Sequence, residues 1–219
     1  MASRPASPPA ELSVSLRAVW WRAALAVALF WGPFVAWQGS CITGLLGWST
    51  RGVELLVLVA PLAGLAVVAA GFTVLLSTRL RDRALQVVLI GCVLLLTFVP
   101  AVALGGWLRM SGFAAAGERA APMVAAIERC IAETGAVPKE LGDLVPRWIE
   151  SLPARLPPLT IVTADERADL GANRWALWAD VPRGFINWDV FLYFPDQQYP
   201  DRGWGGSLQR LGRWAYVHE

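Results

Sequence analysis

The sequence predicts two parts: three transmembrane helices, then a small α+β domain in which a helix packs on a short antiparallel sheet. The hydrophobic share of the 219 residues is 56%, above the roughly 45–50% of ordinary soluble domains. Residues 1–108 contain only seven arginines and three acidic residues, and charged residues are much denser afterwards. We therefore divide the chain into a disordered cytoplasmic arm at 1–17, a transmembrane region at 18–108 and an extracytoplasmic domain at 109–219.

Three apolar segments are long enough to cross a bilayer, whose hydrocarbon core takes about 20 residues of helix. They are VWWRAALAVALFWGPFVAW (Val19–Trp37), VELLVLVAPLAGLAVVAAGFTVLLS (Val53–Ser77) and ALQVVLIGCVLLLTFVPAVALGGWL (Ala84–Leu108). Tryptophans near the segment ends are typical of the membrane interface. The leading MASRPASPPA is rich in Pro, Ser and Ala and is predicted to be disordered. The lipid bilayer is therefore the first expected partner.

Arginine placement predicts the orientation of these segments. Arg4, Arg17 and Arg22 flank the first segment and the arginine-rich RLRDR joins the second to the third, whereas the loop Gly39–Gly52 contains only Arg51. Basic loops stay in the cytoplasm. The N-terminus is thus expected in the cytoplasm of a bacterial cell, with the domain after the third segment on the periplasmic side of the inner membrane.

The domain from residue 109 begins with a helical pattern and continues with strand patterns. Apolar residues at helical spacing over 123–134 predict an amphipathic helix that ends at Gly135. Pro138–Val145 predicts a short helical turn. Four short aromatic-rich segments separated by turn residues then predict an antiparallel meander. These segments are Leu159–Thr163, Arg174–Val181, Asp189–Phe194 and Gly212–His218.

The stretch AAIERCIAETGAVPKELGDLVPRWIESLP resembles the type II secretion pseudopilins and other type IV pilin-like proteins. In that family a long N-terminal helix ends near a glycine and is followed by a Leu-x-x-Leu turn, a proline-containing run and a small antiparallel sheet. The resemblance covers roughly Met123 to Pro158. It implies a pilin-like fold for the domain, with the third span and the helix beyond it in the place of the long pilin helix.

The chain departs from the pilin pattern at the peptidase site. A pilin has a Gly-Phe pair with an acidic residue four positions later, ahead of its hydrophobic helix. Here Gly112-Phe113 is followed by Glu118, one position late, and the hydrophobic stretch comes first. We therefore expect a non-enzymatic, membrane-anchored protein whose pilin-like domain contacts another envelope protein, and not a polymerising pilin.

Few residues offer chemistry for a metal or a reaction. His218 is the only histidine, and no phosphate-binding loop, nucleophile elbow or zinc spacing is present. Calcium needs six to eight oxygen ligands, and the loop FPDQQYPDRGWGG provides two candidate carboxylates, Asp196 and Asp201. Turn formation by these aspartates is the competing interpretation. The odd number of cysteines leaves pairing of Cys41 with Cys130 open.

The strands carry candidate binding aromatics. Trp175 and Trp178 are three apart and so point to opposite faces of a strand, and Trp204 and Tyr199 lie in the following loop. Aromatics outside the core mark interaction surfaces, and core filling is the competing interpretation. An envelope sensor or glycan-binding module is the alternative function. The nearly neutral domain shows no footprint for nucleic acid.

The predicted orientation is testable with a reporter enzyme that is active only in the periplasm. Fused after Glu219, the reporter is expected to be active because three spans place the C-terminus opposite the N-terminus. The same reporter fused within RLRDR is the matched control and is expected to be silent. Activity of the control fusion together with a silent C-terminal fusion would reverse the orientation.

Overall fold

The computed structural model describes residues 10–49, 53–76, 79–167, 170–183, 187–200 and 206–218. The helices are α1 (Ala10–Thr43), α2 (Glu54–Leu75), α3 (Arg81–Leu96) and α4 (Phe98–Thr134), followed by a 3₁₀ turn at Leu141–Leu144. The strands are β1 (Thr160–Thr163), β2 (Trp175–Asp180), β3 (Val190–Tyr193), β4 (Ser207–Leu211) and β5 (Trp214–His218). Of the predicted arm, residues 1–9 lie outside the described residues, and α1 already begins at Ala10.

Three helical stretches are long and apolar enough to cross a membrane: Arg17–Thr43, Val57–Val74 and Arg81–Thr134. They agree with the three predicted segments in number and position. The third stretch is interrupted at Thr97, between α3 and α4. Pro100 explains the interruption because it has no N–H to donate to the carbonyl one turn earlier. The helical membrane part and a small antiparallel sheet are therefore both present.

The described chain forms two compact units. The first comprises Met1–Phe34 and Leu56–Ala103, and the second comprises Val35–Leu55 and Leu104–Glu219. The second unit thus includes the connection between α1 and α2, which the sequence division at residue 108 assigned to the membrane region. In the first unit, small residues let helices approach closely: a Cβ at Gly64 would lie 2.8 Å from the Leu95 side chain.

The sheet of the second unit has the strand order β1-β2-β3-β5-β4, with every neighbouring pair antiparallel. The four predicted strands are present, and β1, β2 and β3 form the predicted meander. The fifth strand, β4, was not predicted. It pairs with β5 through a two-residue turn and occupies the outer position, so that β5 and not β4 adjoins β3.

Both faces of the three central strands, β2, β3 and β5, are buried. One face packs on α4 and shares a core with Phe113, Met123 and Ile127, in agreement with the predicted helical stripe. The opposite face forms a second core around Trp178, Leu192 and Val217, with Leu170 and Tyr199 from connecting segments. Gly135 ends α4 with a φ of +73°, as the sequence predicts. The sheet is therefore a central layer whose sides are both occupied.

Candidate functional site

The second unit contains a fully buried arginine at the centre of a hydrogen-bond network. Arg109 lies on α4 with no exposed surface. Its Nη1 donates to the Gly47 carbonyl at 2.8 Å, and its Nη2 donates to the Trp48 and Val181 carbonyls at 3.1 and 2.8 Å. Its Nε donates to the Tyr216 hydroxyl at 3.4 Å. Four of the five guanidinium N–H groups therefore have partners.

Aromatic rings surround the Arg109 guanidinium. Its Cζ lies 5.0 Å from the Phe113 ring centroid and 5.8 Å from the Tyr216 ring centroid. Phe113 in turn contacts Trp48 and Phe191, with centroids 5.3 and 5.0 Å away. Cation–π attraction is strongest where the cation is desolvated. The rings therefore exclude water and also stabilise the charge that they enclose.

The connection between α1 and α2 is shaped to meet Arg109. Gly47 has a φ of +89°, and a Cβ on this residue would lie 2.7 Å from both the Cys41 Sγ and the Trp37 carbonyl. Only glycine fits this conformation and this space. The Gly47 carbonyl accepts a second hydrogen bond from the Cys41 thiol at 2.8 Å. Cys41 and Cys130 are both free thiols, so no disulfide joins them.

A buried carboxylate completes the network. Asp189 has no exposed surface, and the Tyr216 hydroxyl donates to its Oδ2. His218 Nδ1 lies 2.7 Å from Asp189 Oδ1, and the His218 side chain is partly exposed. Tyr216 therefore links a buried cation, Arg109, to a buried anion through its hydroxyl group. We call these four residues (Arg109, Tyr216, Asp189 and His218) the buried polar network.

The tyrosines of the second unit are held in their neutral form. Burial raises the pKa of Tyr216, and the neighbouring Asp189 raises it further against the opposing effect of Arg109. Burial also raises the pKa of Tyr193 and of Tyr199 to about 12 each. Neutral Tyr216 can accept a hydrogen bond from Arg109 while donating one to Asp189. The raised pKa thus preserves the network across the physiological range.

The chemistry available to the buried polar network is that of an oriented imidazole. A carboxylate that fixes one ring nitrogen of a histidine is half of the arrangement used by general bases. A reaction also needs a nucleophile or a substrate pocket beside the other nitrogen. No hydroxyl or thiol hydrogen-bonds to His218 Nε2 within the described ranges.

The predicted aromatic site divides between the two cores. Trp175 and Trp178 point to opposite faces of β2 as expected, and both are buried, with exposed fractions of 5% and 6%. Tyr199 is half-buried, donates to the Arg213 carbonyl at 2.6 Å and accepts from the Phe194 N–H at 2.9 Å. Trp204 lies outside the described residues. The structure therefore does not bring these four aromatics together on one surface that it describes.

An exposed aromatic occurs instead at Trp188, which the sequence did not single out as a binding residue. Its exposed fraction is 75%. It directly precedes Asp189, whose side chain is fully buried, so an exposed ring and a buried carboxylate are neighbours in the chain.

The structure describes one of the two predicted calcium ligands, Asp196. Asp196 is exposed, and its backbone N–H donates to Asn173 Oδ1 at 3.2 Å. Asp201 lies outside the described residues. Among the residues that the structure describes, no group of three or more His, Cys, Asp or Glu side chains is placed to hold a metal ion. Calcium binding stays a prediction.

Arg109 is the residue that sequence reasoning missed. Its position directly after the third apolar segment suggested a boundary between membrane and water, where an arginine is expected to be solvated. The available signal was the small Gly112 and the aromatic Phe113 that follow it in the sequence, which allow close packing. Its partners lie 61 to 107 residues away in the chain, beyond the reach of local patterns.

Comparison of the chain with protein-family profiles, with curated proteins and with solved structures gives no match.

Replacing Arg109 by Met is expected to lower the free energy of unfolding by about 3–5 kcal/mol, because removing one member of a buried charged network leaves its partners uncompensated. Arg129→Met on the same helix is the matched control, since Arg129 is exposed and is expected to cost under about 1 kcal/mol. Equilibrium unfolding of the full chain in detergent measures both. Equal stabilities of the two variants would contradict a central role for Arg109.

All three tyrosines of the chain have raised pKa values, which predicts that they ionise at a higher pH in the native protein than in the unfolded chain. Tyrosinate absorbance near 295 nm is expected to stay flat up to about pH 11 in the native protein, whereas the unfolded chain titrates near pH 10. Because the folded pKa values exceed the unfolded ones, this contribution to stability is complete below pH 10 and is lost as the pH rises towards about 12. One native tyrosine titrating near pH 10 would contradict the packing at that residue.

Proposed function

We propose that this chain is a non-enzymatic, membrane-anchored protein whose sheet domain binds another protein of the bacterial envelope. In this proposal the N-terminus is cytoplasmic and the domain lies in the periplasm. The pilin-like resemblance of Met123 to Pro158 is consistent with a domain that functions through protein contacts. The single observation that carries the proposal is that both faces of the central strands are filled, whereas an edge of the sheet is unpaired among the described residues.

Because both faces of the central strands are filled, the edges of the sheet are the candidate binding surfaces. Apolar side chains occupy both sides of the central strands, so neither face is free for a large partner. The sheet ends at β1 and at β4, and neither has a second neighbouring strand among the described residues. An unpaired edge presents backbone N–H and carbonyl groups that another extended chain can pair with.

The two edges differ in availability. On β1, the outward N–H of Thr163 is already bonded to Glu166 Oε2 at 2.8 Å, and the Thr163 hydroxyl donates to the same oxygen at 3.1 Å. Glu166 therefore closes one pairing position of a strand that has only four residues. The β4 edge is the better candidate for strand addition.

The geometry of the turn shows which N–H groups of β4 point away from β5. Gly212 and Arg213 form the two-residue turn to β5, with a φ of +64° at Gly212. A turn of this length makes Leu211 and Trp214 a hydrogen-bonded pair. By alternation, the N–H groups of Leu208 and Arg210 point away from β5. These groups would receive the carbonyls of an extended partner segment.

A photo-crosslinking residue placed at Gln209 tests this proposal in intact cells. Gln209 is an exposed residue of β4, and we expect a protein adduct there. The matched control position is Glu150, an exposed residue after the 3₁₀ turn, where no adduct is expected. Arg210→Pro removes an outward N–H and should abolish the adduct, whereas Arg210→Ala keeps the N–H and should retain it.

Equal adducts at Gln209 and Glu150, or an adduct that survives Arg210→Pro, would contradict strand addition at β4. Unchanged protease resistance of the purified variants shows that their fold is intact.

The alternative, a glycan-binding or sensor module, is favoured by the exposed ring of Trp188. It predicts the opposite pattern in the same strains: no protein adduct at Gln209. It also predicts that envelope glycan fragments quench tryptophan fluorescence in the wild type and not in Trp188→Ala.

A further inference from the structure

Two arginines of the second unit lie together at the end of α1. Arg119 extends from α4 and donates from Nη1 to the Ile42 carbonyl at 3.0 Å and from Nε to the Arg155 carbonyl at 3.3 Å. The Ile42 carbonyl belongs to the last turn of α1, where carbonyls lack partners within the helix. Arg119 therefore joins the end of α1 to the segment that contains Arg155.

Arg119 retains unused hydrogen-bonding capacity. The two bonds above use two of its five N–H groups. Its Nη2 is buried and has no hydrogen-bond partner in the described chain. A buried donor without a partner costs about 1–3 kcal/mol, so an acceptor supplied from outside the chain would stabilise this group.

Arg155 adds a second positive charge to the same place. It is exposed, and its carbonyl accepts the hydrogen bond from Arg119 Nε at 3.3 Å, so both residues lie at the end of α1. Neither arginine forms an ion pair with a carboxylate among the described residues. Like charges in proximity repel, and an anion between them would remove this repulsion through charge-assisted hydrogen bonds.

The backbone holds Arg155 in this position under strain. Its φ is +61°, a left-handed conformation that is unfavourable for residues other than glycine. Gly44, with a φ of +69°, lies directly against it, because a Cβ on Gly44 would be only 2.6 Å from the Arg155 Cβ. Strained backbone that the surrounding structure maintains is typical of ligand-binding positions.

The position along α1 identifies the class of anion. The apolar stretch of α1, Arg17–Thr43, has 27 residues, or about 40 Å of helix at 1.5 Å per residue. A bilayer with its headgroups is about 40–45 Å thick. If α1 crosses the bilayer, its last turn therefore lies among the headgroups, where phosphate esters are the abundant anions.

We propose that Arg119 and Arg155 bind the phosphate oxyanion of a phospholipid headgroup beside the end of α1. Planar guanidinium groups match the oxygens of a phosphate. Because Gly44 has no side chain, the end of α1 and the segment that contains Arg155 can approach each other at the site. The bound headgroup neutralises the pair and joins α1, α4 and the segment that contains Arg155 to the membrane surface.

Native mass spectrometry of the purified full chain tests the site, with phosphatidylglycerol as the probe. Arg119→Gln/Arg155→Gln is expected to weaken lipid retention about tenfold, a change of about 1.4 kcal/mol. Arg155→Gln alone must also weaken it, and this exposed side chain can change without loss of fold. Arg129→Gln on the same helix is the matched control and is expected to retain lipid like the wild type.

Equal retention by the wild type and Arg155→Gln, or equal loss in Arg129→Gln, would overturn the site. Inorganic phosphate distinguishes the source of the anion. If it raises the melting temperature of the wild type as much as phosphatidylglycerol does at the same concentration, the assignment to a lipid is wrong. Because no envelope protein is present in this experiment, its result is independent of the β4 edge.

Discussion

The need to accommodate one buried cation organises the second unit. A guanidinium removed from water requires nearly all of its N–H groups to be bonded, and Arg109 meets this requirement with acceptors from three separate segments. The α1–α2 connection supplies Gly47 and Trp48, the end of β2 supplies Val181, and β5 supplies Tyr216. These segments must therefore converge on α4. The aromatic packing around Phe113 follows from that convergence and keeps water away from the charge.

The buried polar network also fixes the segment that joins α1 to α2. The connection between α1 and α2 belongs to the second compact unit and not to the first. The hydrogen bond from Arg109 to Gly47 holds that connection against α4, and the one from Arg119 to Ile42 does the same for the last turn of α1.

Local patterns were sufficient for every helix and strand except β4. The alternation in RWALWADV identified β2 and assigned Trp175 and Trp178 to opposite faces, and Gly135 was placed correctly as the end of a helix. The β4 strand, SLQRL, was missed because it has no aromatic residue and only two apolar ones. Its strand conformation depends on pairing with β5. The burial of Trp178 was likewise not decidable locally, because Leu170 and Tyr199 cover that face from connecting segments.

The sequence by itself determined the apolar helices, the positions of four strands and the helix that packs on the sheet, because hydropathy and its period are local properties of the chain. The tertiary structure decided the burial of Arg109, the order β3-β5-β4 and the pairing of Arg119 with Arg155. Each of these depends on groups far apart in the chain, such as Arg109 and Tyr216. The physical reason is that a charged side chain is stable in a core only when its partners are present, and no local pattern records where those partners will be.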